Sequence, residues 1–384
     1  MPHAVEALGL GTQRLAFGVW RLAFEVRPAA GAQEFPRDSE FLIPSLNPQM
    51  PALSPAPDSR ILVTGGAGFI GSAIIWELNR RGCERIVVSD ILGTNEKWKN
   101  LTPLRFEDYL EADDLRPRLE SGALGKFDGV FHLGACSATT ERDAGYLIRN
   151  NFEFTKDLAA WSLKNSARFV YASSAATYGD GGAGMSDTDA RLIRFRPLNM
   201  YGYSKHLFDL HAVRQGWMDR IVGLKYFNVF GPNEGHKDDM RSLVHKSYAQ
   251  AIETGTIRLF KSYKPEYRDG EQKRDFLYVK DAVAMTLHLA AQKSAGGLFN
   301  IGSGQAHTWI ELATAVFRAL DREPKIEFIE MPETLRGKYQ YFTQADIGKL
   351  RAAGYDRAVT PLADAVADYI RNYIVPDRAL GDEA

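Results

Sequence analysis

The stretch VTGGAGFIG, Val63 to Gly71, constrains this chain more than any other. It follows a short apolar run, RILVTGG, and precedes GFIGSAIIWELNRRG, whose apolar residues recur at helical spacing as far as Gly82. Gly65, Gly68 and Gly71 therefore form G-x-x-G-x-x-G at a strand–helix junction. The first glycine permits a tight turn, the second lets backbone approach a pyrophosphate, and the third lets helix and strand pack closely. The helix N-terminus adds N–H groups and a partial positive charge for phosphates. A glycine triplet alone is weak evidence, but this context makes it a dinucleotide-binding signal.

From Arg60 onward, apolar runs alternate with helical patterns: RIVVSD, RFEDYL, GVFHLGAC, RFVYASSAATYG and DRIVGLKYFNVFGP read as strands. Such alternation implies an α/β fold, a Rossmann-type doubly wound parallel sheet. After about residue 231 the pattern is mixed and reads as a smaller C-terminal α/β substrate lobe. The expected organisation is an extension over 1–59, a dinucleotide-binding domain over 60–230, a mainly substrate-binding lobe over 231–376 with some segments returning to the first domain, and a tail over 377–384. The extension is rich in Pro, Ala and Ser and reads as flexible. Its RLAFGVWRLAFEVR stretch is compatible with a targeting helix, a docking strand or no role at all and lacks a secretory pattern; the favoured reading is a non-functional extension, with Met50 as an alternative start.

Composition narrows the function classes. A net charge of -1 over 384 residues argues against nucleic-acid or membrane-surface partners. No apolar run approaches the roughly 20 residues that span a bilayer. Cys83 and Cys136 are too few for a disulfide framework or a cysteine zinc site and fit a cytoplasmic protein. The histidines are scattered, so no metal is implied; His132 reads as a packed polar residue and His236 as a loop or pocket residue.

Asp90 ends the second strand, 19 residues past Gly71, where a carboxylate binds a ribose hydroxyl. That favours NAD, whereas nearby Lys97 can balance the extra phosphate of NADP. HLGACS, residues 132 to 137, ends the fourth strand at the height of a nicotinamide ribose. Ser173 or Ser174 ends the fifth, at the carboxyl edge where such sheets bind ligands. NMYGYSKHLFD then places Tyr201 and Lys205 four apart, on one helix face. Oxidising a secondary alcohol needs a base, and a phenol with a pKa near 10 is a poor one. A lysine ammonium and an oxidised nicotinamide are expected to lower that pKa. Ser174 would orient the alcohol and stabilise the alkoxide. Tyr203 fails on spacing, since its i+4 neighbour is Leu207.

TGGAGFIGS, HLGACSATTE, YASSAATYG, NMYGYSKHLFD, KYFNVFGPNEGHK, KRDFLYVKD and GKYQYFTQADIGKLRAAGYD together resemble the extended short-chain dehydrogenase/reductases. Within them the chain is similar to the subfamily that epimerises ADP-heptose at C6″, and the resemblance covers about Arg60 to Ile374. It implies transient oxidation with bound NADP, NAD being possible, a nucleotide-sugar substrate, a homo-oligomer and a place in lipopolysaccharide core synthesis. It also implies site residues. Phe69, Ile70, Asp90, Ile91, Lys97, Leu133, Gly134, Ala135, Cys136, Ser137, Asn150 and Val229 match the cofactor site. Tyr201 and Lys205 match the catalytic pair, Ser174 the hydroxyl-binding serine, and Lys237 a second acid/base beside the cofactor. Asn228, Asp239, Lys246, Phe260, Lys261, Ser262, Tyr263, Arg274 and Tyr339 match the substrate pocket. A guanidinium at 274 also suits a diphosphate, the lesser alternative being a surface ion pair with Asp275.

Three positions depart from the pattern. Asp238 and Asp239 stand where small or polar residues are common, Lys246 where some members have His, and Ala112 where some have a second lysine near the cofactor phosphate. Rivals are a nucleotide-sugar 4-epimerase, a 4,6-dehydratase and a non-catalytic dinucleotide-binding module. A dehydratase needs an acidic pair where Ala175 and Ala176 stand, and a sensor has no need of Ser174, Tyr201 and Lys205 together.

Overall fold

The computed structural model describes residues 52–382 except Lys338. The expected flexible extension, with Met50 and the RLAFGVWRLAFEVR stretch, lies outside the described residues as far as residue 51. Within 52–59, Leu53 is anchored: it is buried, its N–H donates to the Ala290 carbonyl at 3.0 Å, and its side chain crowds Gly129. A single apolar anchor carries no period, so the sequence pattern did not mark it.

Among the described residues the strands are β1 (Ile61–Thr64), β2 (Ile86–Asp90), β3 (Asp108–Glu111), β4 (Gly129–His132), β5 (Arg168–Ser174), β6 (Ile221–Tyr226), β7 (Asn228–Phe230), β8 (Ile257–Phe260), β9 (Lys273–Tyr278), β10 (Gly297–Ile301), β11 (Ala306–Thr308) and β12 (Ile326–Ile329). The principal helices are α1 (Phe69–Arg80), α2 (Ala112–Glu120), α3 (Ala144–Leu147), α4 (Phe154–Lys164), α5 (Met200–Arg214), α6 (Leu243–Glu253), α7 (Val279–Ala291) and α8 (Trp309–Ala319). Among the described residues no helix is long and apolar enough to cross a membrane.

The main sheet has the order β10-β6-β5-β4-β1-β2-β3, with every pair parallel. Successive strand residues face opposite sides. Ile61, Val63, Ile86, Val88 and Phe131 enter one core; Leu62, Val87, Val130 and Phe169 enter the other. Both faces are thus covered, which is why these strands read as unbroken apolar runs. The order 3-2-1-4-5-6 is the doubly wound arrangement, whose ligand crevice lies where the order reverses, between β1 and β4. β10, from beyond residue 231, returns to this sheet beside β6.

The C-terminal lobe is thinner. It holds a sheet of β11-β9-β7 and a two-stranded pair, β8 and β12. β12 has no fully buried residue, while β8 buries Ile257 and Leu259. Helix α8 opens with a capping box: Thr308 accepts from the Glu311 N–H, and Glu311 accepts from the Thr308 N–H.

Candidate active site

The carboxyl ends of β1, β2, β4 and β5 meet around the glycine loop. Gly65 has φ +68°, and a Cβ there would lie 2.5 Å from the Gly134 nitrogen, so the turn after β1 and the turn after β4 touch through backbone. A Cβ on Gly71 would lie 2.1 Å from the Gly65 carbonyl oxygen. Only glycine allows α1 to begin this close to β1. No side chain caps the N-terminus of α1 at Gly68. The cradle fits a pyrophosphate on its own geometry, with backbone close enough and helix N–H groups aimed outward.

A cleft of about 570 Å³ runs along this edge, a volume within the range of small-molecule and cofactor sites. It is lined by Gly65, Gly68, Phe69, Ile70, Gly71, Asp90, Lys97, the Leu133–Ser137 stretch, Ser174, Tyr201, Lys205, Val229 and Lys237. The structure therefore gathers most of the expected cofactor positions with the serine, the tyrosine and both lysines. Ile91 and Asn150 do not line it. Ile91 is exposed, and the Asn150 amide donates instead to Asn151 Oδ1 at 3.1 Å. Asn151 is the residue that holds the Cys136 stretch, accepting from the Cys136 N–H and donating to its carbonyl, each at 2.9 Å. The cleft also draws in Asn95, Thr139 and Met240, none of which had been singled out. Only Asn95 carried a local signal, as the cap of the turn Glu96–Leu101.

At the ribose end, Asp90 is already engaged. One oxygen accepts from the Ala67 N–H at 2.9 Å; the other accepts from the Ile91 N–H at 2.7 Å and from Lys97 Nζ at 2.8 Å. The carboxylate expected for a ribose and the ammonium expected for a phosphate thus face each other. His132 lies buried beneath, bonded to Thr64 and Thr155, and burial pushes it down to about 3, so it is neutral.

At the chemical end, Asn199 caps α5 by accepting from the Gly202 N–H at 2.8 Å, which sets Tyr201 in the first turn. The Ser174 hydroxyl is the side-chain hydrogen-bond partner of Tyr201 and also accepts from the Ala176 N–H at 3.1 Å. Tyr203 is exposed, away from the cleft. The expected lowering of the Tyr201 phenol is not what the chain alone produces. Burial pushes it up, and the Ser174 bond opposes this only in part. Lys205 is itself buried, and that pushes its amine down to about 8 against the pull of Asp209. Burial is the largest influence on both groups, and the mutual effect that spacing suggested is not among the influences on either.

Lys237 sits on the turn Gly235–Met240, which covers the glycine loop. Its amine lies 5.2 Å from the Phe69 ring centre, and burial pushes its pKa down, with Glu234 opposing. Beside it, burial pushes His236 down to about 4. Asp238 has φ +45°, which an L side chain adopts under strain.

The expected substrate residues form a second cluster in the lobe. Arg274 is buried, and its guanidinium lies 5.1 Å from the Tyr339 ring and 5.5 Å from that of Trp309. It donates to the Lys273 and Gln340 carbonyls. The alternative pairing with Asp275 does not form: that carboxylate accepts from Ser303, Gly304 and Ala345. Phe260 meets Tyr339 edge-on at 6.5 Å. Lys261 pairs with Glu330 at 2.8 Å, Tyr263 donates to the same carboxylate, and the Ser262 N–H donates to Asp269. Asn228 is exposed and makes a long contact, 3.5 Å, with Thr343. Lys246 donates to the Asp239 carbonyl, joining those two positions to each other. Trp309, Glu330 and Arg336, which stacks 4.0 Å from the Tyr263 ring, complete the cluster and had not been foreseen.

Comparison with known proteins accords with this geometry. Residues 61–302 match the NAD dependent epimerase/dehydratase family. The ADP-L-glycero-D-manno-heptose-6-epimerase of Nitratidesulfovibrio vulgaris is 55% identical over 314 residues, spanning 82% of this chain and 97% of its own length. That of Fusobacterium nucleatum subsp. nucleatum is 43% identical over 327 residues, spanning 83% and 98%. The crystal structure of the Helicobacter pylori ADP-L-glycero-D-manno-heptose-6-epimerase is similar with a TM-score of 0.69 at 28% identity, covering 82% of this chain and 96% of that one.

Proposed function

Because the chain belongs to the NAD dependent epimerase/dehydratase family, we propose that it inverts C6″ of ADP-D-glycero-D-manno-heptose to give ADP-L-glycero-D-manno-heptose. The observation that carries this reading is the 55% identity to a relative of that name across nearly the whole of the relative's length. The protein is an isomerase using a nicotinamide dinucleotide. We assign NADP as that dinucleotide, with Lys97 turning from Asp90 to its extra phosphate. A cytoplasmic homo-oligomer serving lipopolysaccharide core synthesis is the setting that fits.

A nicotinamide held by the glycine loop and the Leu133–Ser137 stretch would supply a reversible hydride acceptor for C6″. Everything else falls to the chain. Ser174 Oγ, bonded to Tyr201, orients the C6″ hydroxyl. Tyr201 removes that proton, and its burial makes the cationic surroundings of the phenol decisive. Lys205 supplies charge while protonated. After the first transfer the C6″ ketone presents its other face, so its oxygen points elsewhere and needs a second proton partner. Lys237, half-buried beside Phe69 of the glycine loop, gives that oxygen its proton, and Tyr201 and Lys237 regain their starting states by exchange with solvent. Arg274, a buried cation between two aromatic rings and without a carboxylate partner among the described residues, suits the diphosphate. Ala175 and Ala176 leave no acid for eliminating water. The test is incubation with ADP-D-glycero-D-manno-heptose and assignment of the C6″ configuration by NMR. Conversion to the L-glycero epimer supports the reading; inversion at C4 of a hexose nucleotide instead would replace it.

A further inference from the structure

Beneath the Ser174–Tyr201 contact lies a fully enclosed ion pair. Lys225 Nζ on β6 is 2.7 Å from Asp209 Oδ2 on α5, and both side chains are 0% exposed. Asp209 stands one turn after Lys205. It accepts twice more from β5, from Tyr171 OH at Oδ1 and from Ser173 Oγ at Oδ2, both at 2.8 Å. Lys225 also donates to Thr177 Oγ1 at 2.7 Å, in the turn that Ser174 caps, and lies 5.0 Å from the Tyr178 ring and 6.0 Å from that of Phe195. One carboxylate therefore ties the helix bearing Tyr201 and Lys205 to the strand bearing Ser173 and Ser174. One ammonium ties that carboxylate to the turn behind Ser174. Apolar residues can often replace a buried ion pair without loss of stability, so fold maintenance alone does not call for this arrangement.

We propose that Asp209 is a positioning residue for the epimerisation, setting Tyr201 against Ser174 and supplying the negative charge that keeps Lys205 protonated, and that Lys225 in turn holds Asp209 in place. The inference rests on the roles assigned above to Tyr201 and Lys205. Asp209 is the largest influence opposing the burial of Lys205. The other groups facing Lys205 are Cys136, from the turn after β4, and His132, from β4 itself. On the far side Asp209 meets Lys225, Tyr171, Tyr178 and His206, with Asp187 acting on Tyr178 and Arg196 on His206. Burial holds His132 and His206 below their ordinary range and Tyr178 above it, so these three stay uncharged near neutrality. The sign follows: without the Asp209 charge, Lys205 loses its proton at lower pH, and the rate falls on the alkaline side sooner.

The test is a set of pH–rate profiles for C6″ epimerisation. Asp209→Asn is expected to cut kcat at least about tenfold near neutrality, leave KM within about twofold, and move the alkaline limb down by about one pH unit. Asp209→Glu keeps the charge but displaces it, so kcat should fall while the limb stays. Lys225→Arg, the conservative change, should retain most of the activity and the wild-type limb. A parallel loss of rate at every pH in Asp209→Asn, with no movement of the limb, would leave Asp209 a merely structural residue and overturn the proposal. If Asp209→Asn does not fold, a shifted limb or undiminished kcat in Asp209→Glu overturns it equally. Failure of the wild type to epimerise would sink the functional reading instead. Titration of Lys205, followed through the pH dependence of dinucleotide binding, would then still test Asp209.

Discussion

The glycine-loop edge of the main sheet and the Arg274 cluster of the lobe are built from different materials. The first is made of backbone: Gly65 and Gly71 at distances no Cβ allows, an uncapped helix N-terminus, and strands buried on both faces. The second is made of side chains from positions 260–263, 274, 309 and 339, set on short strands, one of them with no fully buried residue. Backbone close-packing leaves one geometry, so the first region has little freedom to change its ligand. Side chains on a thin lobe can be exchanged singly, so the second is where we place substrate choice. The chemistry assigned to Ser174, Tyr201 and Lys205 sits at the junction.

If that division holds, a change in one region damages one ligand and spares the other. The largest effect is expected at the junction. Tyr201→Phe should lower kcat by about 10²–10⁴-fold while both ligands bind as before; kinetics with parallel binding titrations check it. Arg274→Ala should raise KM for the ADP-heptose by about 10–100-fold, the worth of a charged hydrogen-bonding contact, without altering dinucleotide affinity. Gly71→Ala should do the reverse. It should weaken the dinucleotide and destabilise the fold by about 1–3 kcal/mol, read by thermal and urea unfolding, because helix and loop must shift to admit the methyl. The smallest effect is at Lys97, which is partly exposed and already paired with Asp90. Lys97→Ala should weaken NADP by about threefold to tenfold and leave NAD unchanged, measured by competitive titration. Equal loss of both would remove Lys97 from phosphate recognition.

The same contrast explains what could be read from the chain. The glycine loop, the parallel strands and the Tyr201–Lys205 spacing are local, encoded within a few residues of one another by period and turn chemistry. They appear where their patterns put them. Trp309 beside Arg274, the Arg336 stack on Tyr263 and the Lys225–Asp209 pair join residues far apart in sequence or on different elements, and nothing in their own neighbourhoods announces the partner. The lobe residues were found by family resemblance, not by pattern. The Tyr201 phenol shows the limit of a reading from spacing. Spacing set a cation beside it and suggested a lowered pKa, but burial acts on both groups and dominates.

The account stands on a hydrogen that leaves C6″ and returns to the same carbon without meeting water. The direct measurement is turnover of ADP-D-glycero-D-manno-heptose in D₂O, with deuterium at C6″ of the product read by mass spectrometry and NMR. The L-glycero product with protium retained at C6″ is the predicted result. Deuterium at C6″ would mean that the proton is exchanged through solvent, and would contradict it.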